Sequence, residues 1–302
     1  MIRFLKNWTL PISMIIGVIF YKWIGALAVI SPALIFTMLL LTFCKVRIED
    51  LRLRMSHFYL LAVEIIGAIA IYYMLKSYNT IVAQGVMVCV ICPTATAAAI
   101  VTNKLHGNVA SITTYTLLCN VVVAVVVPAF FPAIYPQGGM TFWVAFWHII
   151  SKVFPLLIFP FIVAQLLLRF TPKLHAKLTS ISDLAFYMWA IALTIAMGIV
   201  VKTFMTDYPS FDEIQANWHV IIGMLIGSMA VCAMLFFVGK RIGRNTGDAI
   251  ASGQSLGQKN TVLAIWMAST FLSPVTSLAP GMYIVWQNIF NSYQLWYEQH
   301  KQ

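Results

Sequence analysis

The chain has 302 residues, 61% of them hydrophobic and only 9% charged, with 20 Phe and 9 Trp. An average soluble domain carries about 25% charged residues, so this composition excludes a soluble globular domain and points to an all-α polytopic membrane protein. The net charge of +10 is not a nucleic-acid signal, because it follows from how Lys and Arg are shared between loops on the two sides of a bilayer.

Apolar runs long enough to cross a ~30 Å hydrocarbon core at 1.5 Å per residue recur along the whole chain. Ten crossings are expected, near Leu5 to Tyr21, Val29 to Cys44, Met55 to Leu75, Ile81 to Asn103, Asn108 to Phe131, Ile150 to Phe170, Leu178 to Val201, Trp218 to Val238, Asp248 to Phe271 and Leu278 to Trp296. The first run follows Met1-Ile-Arg-Phe-Leu-Lys directly, with no small-residue cleavage site after it, which predicts a retained helix. With both termini on the cytoplasmic side, fourteen of the nineteen Lys and Arg fall on the inner loops, from Arg3 and Lys6 to Lys301. The outer side receives Lys22, Lys76, Lys152 and Lys202, and Lys259 remains inside a crossing. This bias fits the positive-inside rule and places the protein in the cytoplasmic membrane as a multi-pass chain.

Two stretches suit the outer surface: Gln137 to Ile149, whose Trp143, Phe146, Trp147 and His148 predict an interfacial helix, and Thr206 to Asn217 with Asp207, Asp212 and Glu213. The first lies near the midpoint of a single transporter domain, residues 1–302. Five crossings on each side of it put the halves, 1–136 and 137–302, in opposite orientation, as an inverted repeat requires.

The fourth and ninth crossings are the ones interrupted by small and polar residues. In the fourth, Cys92-Pro93-Thr94-Ala95-Thr96 follows an apolar run, and Pro93 removes a backbone donor and clashes with the preceding turn. In the ninth, Gly253 and Gly257 bracket Gln254 and Ser255, and Gln258, Lys259 and Asn260 follow. Helix breaks are therefore expected at Pro93, Gly253 and Gly257. Carbonyls freed at membrane depth are tolerated only inside protein or beside a water-filled cavity, so the two breaks predict a ligand site. A proline kink with small residues can equally serve close helix packing.

Lys259 is the residue of greatest consequence. Placing an ammonium in hydrocarbon costs roughly 2.5–3.5 kcal/mol or more, so it lines a pathway or meets a partner; snorkelling, the ordinary alternative, is strained from the middle of a crossing. Glu64 of the third crossing is the candidate counter-charge, with an independent hydrogen-bonded packing role as the alternative. Cys89 and Cys92 form a C-x-x-C pair without a second pair of ligands, and the six histidines have no metal-ligand spacing. No metal, nucleotide or other cofactor motif is present, and no nucleophile-and-base or carboxylate pair for an enzyme. Energy for transport would come from an ion or substrate gradient.

Lys45-Val-Arg-Ile-Glu-Asp-Leu after the second crossing, Gly85 through Cys92-Pro93 with Gly107-Asn108-Val109-Ala110 beyond it, Gly257-Gln258-Lys259-Asn260-Thr261-Val-Leu-Ala, and the closing Met282-Tyr-Ile-Val-Trp-Gln-Asn-Ile occur in an order that resembles the bile acid:sodium symporter family over nearly the whole chain. The resemblance implies ten helices in two inverted five-helix repeats, a panel of helices 1, 2, 6 and 7, and a core of helices 3 to 5 and 8 to 10. Discontinuous helices 4 and 9 would cross at the substrate site, with alternating access arising from motion of core against panel.

The chain departs from that family at the positions the resemblance assigns to sodium. Where the family has C-P-G-G and then a Ser-Asn pair, this chain has Thr94-Ala95 and Ala97-Ala98-Ala99; of two further positions one reads Ile112 and only Thr116 keeps a hydroxyl. The family's E-x-x-x-Q-N pattern falls on Ser255 and Lys259, or one residue earlier on Gln254 and Gln258. Either register lacks the carboxylate, and with it the charge that offsets dehydration of the ion. Sodium is therefore not expected to bind there. Lys259, with the same unit charge and three donors, is expected either to fill the cation site permanently or to exchange a proton through the cycle.

Thr94, Thr96, Ser255, Lys259 and Asn260 are the expected substrate-binding residues, with Lys259, Glu64, Gln258, Gln254 and Thr116 as coupling groups or charge partners. The expected partners are a small organic anion (bile-acid-like, carboxylate or sulfonate), the lipid bilayer and protons. A proton or cation antiporter of related fold and a non-transporting membrane sensor are the alternatives.

Overall fold

The computed structural model describes residues 2–136, 140–180 and 184–300. Among these the chain is helical, without a β-strand beyond one isolated bridge. In chain order the α-helices are α1 Ile2–Ile19, α2 Tyr21–Ile24, α3 Ser31–Phe43, α4 Met55–Lys76, α5 Thr80–Ile91, α6 Ala98–Lys104, α7 Val109–Ile134, α8 Phe142–Phe170, α9 Pro172–Ser180, α10 Leu184–Asp207, α11 Phe211–Ala216, α12 Trp218–Arg244, α13 Ala249–Gly257, α14 Thr261–Phe271 and α15 Leu278–Gln299. Among the described residues, six stretches are long and apolar enough to cross a membrane: Tyr21–Phe43, Met55–Lys76, Val109–Ile134, Phe142–Phe170, Tyr187–Asp207 and Trp218–Arg244. This establishes an all-helical, polytopic membrane architecture.

Local chemistry sets where these helices begin. The Asn79 side chain accepts hydrogen bonds from the amides of Ile81 at 2.9 Å and Val82 at 3.0 Å, and starts α5. Asn108 accepts from Ser111 at 3.0 Å and starts α7. Ser210 and Glu213 cap α11 reciprocally, each side chain bonding the other's amide at 3.3 Å. Between α12 and α13 the chain reverses through Gly247, whose φ of +73° suits a residue without a side chain.

Packing sorts most of the helices into two groups, which α7 joins by lying along α8. α1 lies on α10, and α3 on α8 and α10. In the second group α12 packs on α5, α13 and α15, while α4 and α15 pack on α5. Helix α14 touches members of both. The shorter apolar helices α5 and α14 belong to interrupted segments; the second interruption is enclosed, and the first is enclosed except at Ala95 and Thr96. Residues 82–94 and 251–268 are buried without a gap, which is the setting in which non-helical backbone survives at membrane depth.

Three expectations are corrected. The interfacial helix over Gln137 to Ile149 is not a separate element, because from Phe142 onward these residues are continuous with α8, and 137–139 lie outside the described residues. The expected crossing from Leu178 to Val201 begins with the end of α9 and then α10, with 181–183 outside the described residues. Finally, Gly253 and Gly257 do not break the ninth segment. Both are helical residues of α13, present because α12 approaches closely: a Cβ at Gly257 would overlap the Phe236 ring, and one at Gly253 would meet the Lys240 side chain. The interruption itself is Gln258 to Asn260, between α13 and α14.

Candidate functional site

Pro93 does end its helix: α5 stops at Ile91, and helix resumes at Ala98. The backbone groups released at this break are satisfied by the other one. The Ala95 amide donates to the Gln258 carbonyl at 2.9 Å and the Asn260 amide to the Pro93 carbonyl at 2.8 Å, an antiparallel bridge in which Thr94 faces Lys259. Side chains complete the joint. The Thr94 hydroxyl donates to the Ser255 carbonyl at 2.6 Å, the Cys92 thiol to the Asn260 carbonyl at 2.9 Å, and Tyr283 to the Gly257 carbonyl at 2.8 Å. The Lys259 amide donates to Oε1 of Gln287 at 3.0 Å, and Asn260 accepts from the Leu263 amide at 3.2 Å to cap α14. Each break thus supplies partners that the other would otherwise lack.

At the centre, Nζ of Lys259 stands 2.9 Å from Oε1 of Glu64, and neither side chain has exposed surface. Glu64 also accepts the Tyr115 hydroxyl at 2.5 Å and the Cys119 thiol at 3.2 Å. The carboxylate is therefore held from α4 by two donors on α7 and by the ammonium from the second break. Nζ makes no aligned hydrogen bond beyond this ion pair among the described residues. Chemically, the arrangement is a cation and its counter-charge without exposed surface, where attraction is strong and loss of either partner strands a charge.

The expected site residues divide into those the fold gathers and those it does not. Thr94, Ser255, Lys259, Asn260, Gln258 and Glu64 meet at the crossing. Two candidate coupling residues are not seen bonded to the ion pair: Gln254 donates to Asn291 at 3.0 Å, and the Thr116 hydroxyl donates to the Ile112 carbonyl one turn back at 2.8 Å. Thr94, Ser255 and Lys259 are buried, whereas Thr96 is partly exposed and lines a cavity of about 230 Å³. Around it stand Lys45, Leu41, Ile100, Val109 and Trp189. The positive group facing this cavity is thus Lys45, not Lys259.

Sequence reading missed Tyr115, Cys119, Gln287 and Lys45. Gln287 was a polar residue inside the quoted Trp-Gln-Asn motif, a usable signal. Tyr115 and Cys119 are four apart on α7 and so share a helix face, but nothing in the sequence marks Glu64 as their acceptor.

Interrupted helices buried within a polytopic bundle, meeting at a charged centre in the interior, define a membrane transporter of the broken-helix kind. The chain matches the SBF-like CPA transporter family over residues 45–299, and it belongs to that family, which is related to the bile acid:sodium symporters. No curated protein matches the chain.

Proposed function

We propose that this protein is a secondary transporter that moves a small organic anion across the cytoplasmic membrane by alternating access, with the Lys259–Glu64 pair standing in place of a coupling sodium ion. The carrying observation is that pair, 2.9 Å apart and without exposed surface. A resident ammonium repels a second cation at the same point, and its pairing with Glu64 offsets the negative charge that would recruit one. The substrate then meets the carrier beside the crossing, at Thr96, with its anionic group toward Lys45 and its apolar part against Leu41, Ile100 and Trp189. About 230 Å³ lies below the roughly 300–1,000 Å³ of drug-sized sites, which favours a small carboxylate or sulfonate over a bile-acid-sized body.

In this reading the chain makes ten crossings in two inverted five-helix repeats, with both termini cytoplasmic. The panel comprises α1, the Tyr21–Phe43 segment, α8 and α10; the core comprises α4 to α7 and α12 to α15. The packing of α1 and α3 on α10, and of α4, α12 and α15 on α5, supports it, with α7 against α8 as the main seam between the two groups. Proton or cation antiport is the second reading, favoured by one observation: Glu64 is a carboxylate buried at the crossing.

Purified protein in proteoliposomes tests the assignment. Uptake of labelled small carboxylates and sulfonates is expected to follow the substrate gradient and to be unchanged by an imposed sodium gradient. Sodium-stimulated uptake would refute the substitution of ion by lysine. Cation flux tied to a pH gradient, absent in Glu64→Gln, would establish the antiporter instead.

A further inference from the structure

A second cavity, of about 440 Å³, opens where α4 and α7 begin, and it is lined by the loop that joins α3 to α4. Lys45, Arg47, Arg52 and Arg54 face it, together with Glu49 and Asp50. Arg54 is engaged with Asp248 at 3.7 Å. The other three basic side chains are exposed and make no ion pair among the described residues. The opposite wall is the first turn of α7, with Asn108 as its cap and Ser111 held by His57 at 3.0 Å. The concavity therefore presents three cations that are unpaired among the described residues and two carboxylates on the loop wall, facing an N-terminal helix turn, for a local excess of positive charge.

Depth decides the ligand class. α4 and α7 have 22 and 26 residues, enough to span the hydrocarbon, so their first turns lie at the level of the lipid headgroups. Guanidinium groups match the planar oxygens of a phosphate with paired hydrogen bonds, and the space holds such a group with several waters. We infer that this cavity binds a phosphate-bearing anion, supplied by an anionic phospholipid headgroup or by a soluble phosphate ester, at a site separate from the helix crossing. The loop involved connects the two helix groups, so an occupied site tethers that connection to α7. This consequence rests on the transporter reading; the binding does not.

Native mass spectrometry of the purified full-length protein tests the binding with three probes: phosphatidylglycerol, phosphatidylcholine and glycerol 3-phosphate. Each basic group near a headgroup contributes roughly fivefold, so the double variant R47Q/R52Q is expected to bind phosphatidylglycerol about twenty-five-fold more weakly. K76Q, at the far end of α4, is expected to bind as the wild type does. E49Q/D50N, which removes the two carboxylates, is expected to bind more tightly, a gain that a misfolded protein cannot show. Preference for phosphatidylglycerol over phosphatidylcholine identifies the lipid source, and binding of glycerol 3-phosphate alone identifies the soluble one. Equal retention of both lipids together with no glycerol 3-phosphate binding, or unchanged binding by R47Q/R52Q, overturns the inference.

Discussion

Lys259 and Lys45 carry the same charged group into opposite settings. At the crossing, Lys259 is sealed from solvent and answered by a carboxylate that is itself held by Tyr115 and Cys119. At the cavities, Lys45 is exposed, has no carboxylate partner among the described residues, and contributes to both concave surfaces. A buried charge is stable only with its partner, so Lys259 acts as part of the architecture; an unpaired exposed charge retains its attraction for a ligand. Rank in the sequence is misleading here, since the more conspicuous lysine is the less available one.

The strongest way to break this contrast is to unpair the crossing. Lys259→Met or Glu64→Gln alone strands a charge in the interior and is expected to lower stability by about 3–5 kcal/mol. The double variant Lys259→Met/Glu64→Leu is expected to recover most of that loss. Thermal unfolding in detergent, run as a double-mutant cycle, measures the coupling, and additive single effects would show that the pair is not the unit described. Tyr115→Phe removes a donor to the carboxylate and is expected to cost about 1.5–3 kcal/mol. The same unfolding assay reads it, and the loss should vanish once Glu64 is replaced.

Gly257→Ala tests the close approach of α12 and α13. It is expected to destabilise by about 1–3 kcal/mol through overlap with Phe236, whereas Gly253→Ala should be milder, because its neighbour is the flexible Lys240 side chain. Equal losses at the two positions would argue against this packing. The smallest stability change belongs to Lys45→Gln, within about 0.5 kcal/mol as for other surface positions. Its effect should appear in proteoliposome uptake instead, as a raised KM for the anion with little change in maximal rate.

Much of the fold was legible because membrane depth enforces length and composition. The third crossing, read as Met55 to Leu75, is α4 Met55–Lys76, since Arg54 before it and Lys76 at its end mark where apolar sequence meets water. The break at Pro93 was legible for a local reason, the missing amide donor. The glycines of α13 misled because a glycine signals permissiveness without saying whether the backbone turns or a neighbour comes near. Only the Phe236 ring decides that, and it comes from another helix.

For the site, sequence identified Lys259 and Glu64 as two charges out of place in hydrocarbon, a judgement that needs only the cost of burying each. Their meeting at 2.9 Å, the service of Pro93 and Gln258 carbonyls to the opposite break, and the transfer of the cavity-facing role to Lys45 join residues from distant parts of the chain. Sequence alone determined the helical membrane class, through the transfer free energy of its apolar runs, and the place where the helix fails at Pro93. The tertiary structure decided which charges cancel and which remain open to a ligand, because electrostatic partnership depends on distance in space and on exclusion of water, neither of which is encoded in residue order alone.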